Sequence, residues 1–534
     1  MSILTELSDI FGAAFVAVGL DASDGEVAVS QRPELAQFQC NGALGAAKRA
    51  GKNPRELAQV IIDAVADKDQ FAELSIAGPG FINIVLTDDA LAARIDRLRA
   101  ADEVEVTPAD PSLRMVIDYG GTNVAKEMHV GHVRPALIGE SLKRIMKALG
   151  HDVTGDVHLG DWGSPMGQLI AELEVRQPDL PYFDSDHSGP YPAESPVVME
   201  DFNELYPAAA ARVAEDAAFA EKARNATAAL QQGRPGYIAL WQHFRNGSIE
   251  ALKAVYADLD VHFDLWHGES TIAGRLDGMI ELLLGSGVAR YSEGAIVVDV
   301  AEPDDKNEIP PLLIAKSDGA TLYTTWDVAT IEDRVEELDA EAMIYIVDAR
   351  QSLHFEQVFR AARKAGMVGD HVLLEHAGNG TVNGPDGKPL KTRDGGTPLL
   401  RTLLDDAVER AAERLDENHL AAESPEEERA QIARLVGLAA VKYGDLQNHR
   451  ASDYIFDLDR FVSFEGRTGP YLLYSAVRMQ SILRKAEELG LTPGAILPAA
   501  GDYDRNLMLA LLRLPEVVAR AAEHRAPNLS LIHI

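Results

Sequence analysis

The sequence predicts a multidomain protein. Its centre is an α/β nucleotide-binding domain with helical insertions, flanked by an N-terminal α+β domain and a C-terminal α-helical bundle. Three observations predict this. A hydrophobic run, Met115-Val116-Ile117, is followed by a turn and then by Val133, Leu137, Ile138, Leu142, Ile145, Met146 and Leu149 at helical spacing. That strand–turn–helix order suits one half of a nucleotide-binding fold. Strand-like runs return at Ala295–Val298 and at 342–347 and suit the second half of the same sheet. From Leu399 onward strand signals vanish and helix signals dominate, apart from an acidic loop at 423–428.

The elements follow in order. Residues 1–110 read as the first domain. Asn53-Pro54-Arg55-Glu56 opens a helix with Leu57, Val60, Ile61 and Val65 on one face. Gly78-Pro79-Gly80 turns into a strand over Phe81–Leu86. Thr107-Pro108-Ala109-Asp110-Pro111 is a linker. Residues 111–400 hold the α/β domain, and about 171–265 of it is polar and Ala-rich, with turns over 178–196, as expected of helical insertions. Residues 401–534 form the helical bundle. A chain of 534 residues accommodates several domains, at about 100–200 residues each.

Composition narrows the class. Hydrophobic residues make up 46% of the chain, enough for large cores. No apolar run reaches the roughly 20 residues that cross a bilayer. The start, MSILTELSDIFGAAF, carries acid and no base before its apolar residues, unlike a signal peptide. Cys40 is the one cysteine, which excludes a disulfide framework and a cysteine-based zinc cluster. A cytoplasmic enzyme away from membranes fits. The net charge of −34 argues against nucleic acid, since phosphate contacts use Lys and Arg. From residue 470 on, however, seven Lys/Arg face six Asp/Glu. An acidic body with a less acidic face permits RNA contact, and motifs must carry that claim.

The richest stretch is DYGGTNVAKEMHVGHVRPALIGES, residues 118–141, with His129 and His132 around Gly131. The first backbone N–H groups of a helix are unpaired and form an anion site. Two imidazoles there can donate to phosphate oxygens, and glycine lets a nucleotide lie close to the backbone. HxGH alone fits a pair of surface histidines equally well. The run resembles the HIGH signature of class I aminoacyl-tRNA synthetases. With Asn123 and Lys126 upstream and Arg134 downstream, it resembles the arginyl-tRNA synthetase family, and the likeness spans residues 1 to about 528.

The resemblance implies a Rossmann-like class I catalytic domain that joins L-arginine to ATP, with Mg2+ and no zinc. The arginyl group then passes to tRNA(Arg), with tRNA bound before activation, on a monomer. It places ATP on His129, Gly131 and His132, with Lys126 adding positive charge. The segment HAGNGTVNGPDGKPLKTRDGGTPLL replaces KMSKS and brings Lys388, Lys391 and Arg393 among mobile glycines. Lys126 makes up for the missing KMSKS lysine. Arginine is a planar cation with five donors, so its recognition calls for carboxylates. By resemblance Glu269 and Asp327 hold the guanidinium and Tyr323 lines the pocket. Asn123 and Gln351 hold the α-amino end, with Asp118 nearby.

For tRNA the resemblance points to three places. Trp162, in HLGDWGSPMGQL, is either a stacking surface for the terminal adenosine or a core residue. Asn448, Arg450 and Arg478, at the start of the helical domain, face RNA. Phe38, Gln39 and Asn41 in QFQCN, with GPGFIN, match the domain that meets the tRNA elbow. Thr122 stands where proline is common, Trp326 where a polar residue is common, and Asp118 where glutamate is common. A cysteinyl enzyme would need a cysteine-rich zinc site, and a tRNA-binding protein without catalysis would not keep His129, His132 and Lys126 together. The last six residues, LSLIHI, are what CTG TCT CTT ATA CAC ATC encodes, a string that looks like a transposon mosaic end. Residues 529–534 are therefore expected to be foreign to the gene, and the helical domain to be incomplete.

Overall fold

A computed structural model of the chain describes residues 2–100, 106–391 and 398–533. It divides into two compact units. One gathers residues 1–110, 148–150 and 479–534; the other gathers 111–147 and 151–478. The helical segment expected as one bundle over 401–534 is thus shared between them.

In the first unit, α1 (Ile3–Ala17), β1 (Val27–Val29), β2 (Phe38–Cys40), α2 (Gly42–Ala50), α3 (Pro54–Ala64), β3 (Phe71–Ala77), β4 (Phe81–Leu86) and α4 (Asp88–Ala100) follow in order. The strands form an antiparallel sheet, β1-β2-β4-β3. Asn53 caps α3 by accepting from the backbone N–H groups of Arg55 and Glu56, and Pro54 occupies the first turn, where its missing N–H costs nothing. The expected inner face is right for Leu57, Ile61 and Val65, but Val60 is exposed and Ala58 and Ile62 face inward instead.

The second unit is built on a parallel sheet. Its elements begin with β5 (Arg114–Tyr119), α5 (Val133–Ala148), β6 (Asp152–Asp156) and α6 (Ser164–Arg176). The helical insertion follows as α7 (Met199–Glu215), α8 (Ala217–Gln231) and α9 (Pro235–Asp258). Then come α10 (Glu269–Ile272), α11 (Leu276–Gly285), β7 (Ala289–Ser292), β8 (Ala295–Val298), β9 (Leu312–Ala315), α12 (Tyr323–Leu338), β10 (Ala342–Ile346), α13 (Ser352–Lys364), β11 (Leu373–His376) and β12 (Val382–Asn383). The sheet order is β11-β10-β5-β6. Residues Ala295–Val298 do not join it. They are the middle of a separate antiparallel sheet, β7-β8-β9. The two-residue turn Glu293-Gly294, both at positive φ, closes the β7–β8 hairpin in the geometry that favours antiparallel pairing. A continuation of the parallel sheet would instead need a crossover.

Helices α14 (Leu400–Glu417) and α15 (Glu426–Leu446), the short β13 (Tyr454–Ile455) and α16 (Leu458–Phe461) complete the second unit up to α17 (Gly469–Glu488). The last helices, α18 (Asp502–Leu512), α19 (Leu514–Glu523) and α20 (Asn528–His533), belong to the first unit. There Leu512 joins the core of Phe11, Phe15, Phe38 and Ile61, and Arg505 on α18 pairs with Asp88 on α4 at 2.7 Å.

Three strand and helix ends of the second unit meet through one buried cation. Arg334 on α12 donates at 2.6 Å to Asp118, at the end of β5, and at 2.6 Å to Asp156, at the end of β6. Its side chain is 2% exposed. Replacing Arg334 by Met keeps the bulk but leaves two buried acids without a counter-charge. Breaking a buried pair in this way costs about 3–5 kcal/mol, so urea unfolding of Arg334→Met should show a loss in that range. A loss below about 1 kcal/mol would mean the pair contributes little.

Candidate active site

Strand β5 lies between β6 and β10, and the connections from β5 and β10 leave in opposite directions along the sheet. That reversal opens a crevice at the carboxyl ends of the strands, where α/β sheets bind ligands. A cavity of about 690 Å3 lies there. It is lined by Asp118, Asn123, His129, Gly131, His132, Glu269, Tyr323, Asp327 and Gln351, so residues from four separated stretches of sequence meet.

The HxGH turn is a single 3-10 turn, Val130–His132, leading into α5. Its backbone N–H groups are not free for an anion, contrary to the sequence expectation. The His129 N–H donates to His132 Nδ1 at 3.1 Å and the Gly131 N–H to His129 Nδ1 at 3.1 Å. The Val130 and His132 N–H groups donate to the carbonyls of Pro398 and His129 at 2.9 Å each. The donors left over are on the rings. Because His129 Nδ1 accepts, the proton of the neutral ring sits on Nε2. His132 Nδ1 lies 3.1 Å from the His129 N–H and 3.2 Å from the His129 carbonyl, and the first pairing leaves its proton on Nε2 as well. Burial holds both imidazoles below their ordinary pKa, with His132 pushed down to about 3 by burial and then by its neighbour His129. The rings lie against each other at 3.8 Å between centroids, tilted by 32°. Gly131 serves this arrangement: a Cβ there would stand 2.9 Å from the His129 ring.

The opposite side of the cavity is acidic. Glu269, the first residue of α10, accepts from the Trp162 N–H at 3.1 Å. Burial raises its pKa, and the nearby charges of Asp161 and Asp327 add to the rise. Asp327 on α12 is bonded to His354 Nε2 on α13 at 2.6 Å. The Tyr323 ring lies 4.9 Å from His354. Asp118 lines the same space but its carboxylate is held by Arg334. Two partially desolvated acids with a polarisable rim suit a cation. His354 and His158 were not singled out by the sequence reading. His158 lines the cavity with both ring nitrogens buried and unpartnered in the protein. His354 lies three residues after Gln351, but only the packing of α13 on α12 brings it to Asp327.

Other expected residues lie elsewhere. Lys126 is exposed, with its ammonium 4.3 Å over the Tyr206 ring of α7, though its charge still reaches both histidines. It follows Ala125, a buried residue at positive φ whose N–H donates to Ser248. Lys388 and Lys391 are exposed beside Pro389 and Leu390, which line the cavity. Arg393 lies outside the described residues. Trp162 is half-buried, edge-on to Trp241 at 4.9 Å.

Among the residues expected to meet tRNA, Phe38 is 1% exposed and belongs to the core. Strand alternation explains the correction, since Phe38 and Cys40 point inward and Gln39 lies on the other face, bonded to Asn83 at 2.8 Å. Asn41 is exposed. Asn448 turns inward and donates to the carbonyls of Gly444 and Asp445 at the end of α15. Arg450 donates to the Gly378 carbonyl at 2.7 Å. Arg478 is exposed on α17.

Three family models match the chain. The catalytic domain of class I tRNA synthetases (R) covers residues 100–458. The arginyl tRNA synthetase N-terminal domain covers 2–86, and the DALR anticodon binding domain covers 472–533. The arginine–tRNA ligase of Hyphomonas neptunium is 48% identical over 535 residues, covering 100% of this chain and 90% of its own length. That of Maricaulis maris is 49% identical over 528 residues, covering 99% and 90%. In fold, the arginyl-tRNA synthetase of Plasmodium falciparum superposes with a TM-score of 0.78 at 24% identity, covering 100% of this chain and 89% of its own. The Thermus thermophilus enzyme superposes at 0.77 and 23%, covering 99% and 90%. With a catalytic-domain model matched over 100–458 and close to half its residues identical to two arginine–tRNA ligases over nearly its whole length, the chain belongs to the arginyl-tRNA synthetase family and is a class I arginine–tRNA ligase.

Proposed function

We propose that the cavity positions L-arginine between Glu269 and Asp327 at one end and Asn123 and Gln351 at the other, with its carboxylate toward the α-phosphate of ATP beside His129 and His132. One observation carries this reading. A single cavity is lined by two imidazoles with ring N–H donors and by two acids, Glu269 and Asp327, of which Glu269 is made costlier to charge by burial and by its acidic neighbours Asp161 and Asp327. A guanidinium entering there removes the like-charge penalty and gains charge-assisted hydrogen bonds.

In the activation step an arginine carboxylate oxygen bonds to the α-phosphorus, and the bond from that phosphorus to the bridging oxygen breaks. Negative charge leaves on pyrophosphate. The enzyme's task is alignment and stabilisation of charge spread over phosphate oxygens. His129 and His132 serve as neutral, preorganised donors, fixed by their own backbone. The Mg2+ that accompanies ATP supplies further charge neutralisation on the phosphates. Lys126, Lys388 and Lys391 are the nearby cations able to swing toward a bound triphosphate. A ribose hydroxyl at the end of tRNA(Arg) then attacks the arginyl carbonyl and AMP leaves. Of the residues expected to face tRNA, Asn41 and Arg478 are exposed and Gln39, Trp162, Asn448 and Arg450 are half-buried, and contact of Asn41, Trp162 and Arg478 with tRNA is part of this proposal.

Arginine-dependent ATP–pyrophosphate exchange, run with and without tRNA(Arg), tests the whole. No arginine-dependent exchange under either condition would overturn it. His132→Ala should lower exchange by about 10²–10³, the usual effect of removing one preorganised donor, with the circular dichroism spectrum unchanged. Near-normal exchange by the folded variant would remove the phosphate role.

Asp327→Asn should raise the KM for arginine at least tenfold and leave that for ATP nearly unchanged, because the amide keeps the shape but not the charge. Equal increases for both substrates would make Asp327 structural.

The depressed His132 pKa also sets a pH dependence. The folded value, about 3, lies below the ordinary value of 6.5, so the unfolded chain takes up the proton first as pH falls. The associated stability is fully present above about pH 6.5 and is lost progressively toward pH 3. Denaturant unfolding at pH 7 and 4.5 should therefore show a smaller acid loss for His132→Asn than for the wild type. Identical losses would contradict the depressed value.

A further inference from the structure

Residues 448–455, NHRASDYI, of which Asn448 and Arg450 were expected to face RNA, are bonded instead to two stretches that contribute to the lining of the catalytic cavity. On one side lies the start of α5, directly after the HxGH turn. Arg134, two residues beyond His132, is 1% exposed. Its guanidinium donates to the Ser452 carbonyl at 2.6 Å and the His449 carbonyl at 3.4 Å. Its Nε lies 3.2 Å from Asp445 on α15, which is itself fully buried, and it stands 5.0 Å over the Tyr454 ring. On the other side lies the segment 378–383, part of which lines the cavity. Arg450 donates to the Gly378 carbonyl at 2.7 Å and receives the Gly380 N–H at 2.9 Å on its own carbonyl. Asp453 accepts the Thr381 N–H at 2.7 Å. Val382 and Asn383 pair in parallel with Tyr454 and Ile455.

We infer that this segment is a positioning strap, anchored by Arg134 on the histidine side and by Asp453 on the facing wall, that sets the width of the phosphate end of the cavity. The contacts just named do not include Glu269 or Asp327, which are bonded to the Trp162 N–H and to His354. Arg134 is thus a positioning residue that acts through the HxGH turn. A guanidinium is required there because its fork reaches two carbonyls and one carboxylate at once, which a lysine ammonium on a flexible stem does not reproduce. A small displacement of such a turn is enough to cost catalysis, since the histidines must sit within hydrogen-bond reach of the phosphates. The inference rests on the placing of ATP beside His129 and His132.

Two variants test it. Arg134→Lys keeps the charge against Asp445 but loses the fork. Asp453→Ala removes the exposed anchor and leaves the buried pair intact, so it keeps the test open if Arg134→Lys does not fold. For each, thermal melting confirms the fold, isothermal titration with ATP gives the Kd, and pyrophosphate exchange with tRNA(Arg) gives KM and kcat. The expected result is a three- to thirtyfold weaker Kd and higher KM for ATP, with the KM for arginine within twofold of wild type. Unchanged ATP values in both folded variants, or parallel changes in ATP and arginine, would overturn the strap. Failure of the underlying site assignment would look different: His132→Ala would leave ATP binding and exchange untouched.

Discussion

The site depends on one guanidinium held between two acids. Arg334 binds Asp118 and Asp156 at the carboxyl ends of neighbouring strands, and its face lies 5.3 Å from the Tyr345 ring at the end of the third. Burial alone would push Asp118 toward its neutral form, and the Arg334 charge opposes that. Each partner is costly in the interior by itself, and together they are tolerable. The result is a rigid charged floor at the point where the sheet order reverses. From that floor the loop after β5 leads to HxGH. The loop after β6 is fastened to it, as the Gly160 N–H donates to the Thr122 carbonyl and the Val124 N–H to the Gly160 carbonyl, both at 3.1 Å. The histidines and the acids are therefore spaced by the sheet and not by loop packing alone.

The overall charge of −34 looks ill-suited to a polyanionic nucleotide. The site resolves this by separating its tasks. Beyond roughly 8–10 Å exposed charges are screened at physiological salt, so the groups lining the cavity matter more there than the total. The imidazoles of His129 and His132 are neutral, and their neutrality follows from burial, from each other and from Lys126. A pair of imidazolium rings at 3.8 Å would repel, whereas neutral rings with Nδ1 satisfied by backbone N–H groups can lie in contact. The acidic excess has a local use at the other end, where Glu269 and Asp327 face a space fit for a cation.

Much of this was legible in the sequence, for physical reasons. The strand over Phe81–Leu86, the cap at Asn53 and the amphipathic α5 rest on local periodicity, which survives folding. The HxGH turn is legible only with its context, Asn123, Lys126 and Arg134, and the acids at 269 and 327 only through the family resemblance. What failed was anything decided by distant contacts. The run Ala295–Val298 has the composition of any buried strand, and only its partner strands settle which sheet it joins. Val60 sits one helical step from the core face. Phe38 could have been assigned inward from the alternation of Phe38, Gln39 and Cys40. His354 meets Asp327 across 27 positions of sequence, and no local pattern signals such a pairing.

The same distinction explains the string around Asn448 and Arg450. Polar residues at a helix end look like surface, because in isolation they would be solvated. Here the backbone groups of two loops need partners as the cavity walls come together, and an unpaired buried carbonyl costs about as much as a lost hydrogen bond. Arg450, Arg134 and Asp453 supply those partners, while Asn448 satisfies carbonyls at the end of α15. Each bond is modest, about 0.5–1.5 kcal/mol for a neutral pair and more with a charge. Their joint effect is geometric. A crevice lined by loops keeps its width only where the loops are tied across it, and here the ties are made by residues whose chemistry would have served equally well on the surface.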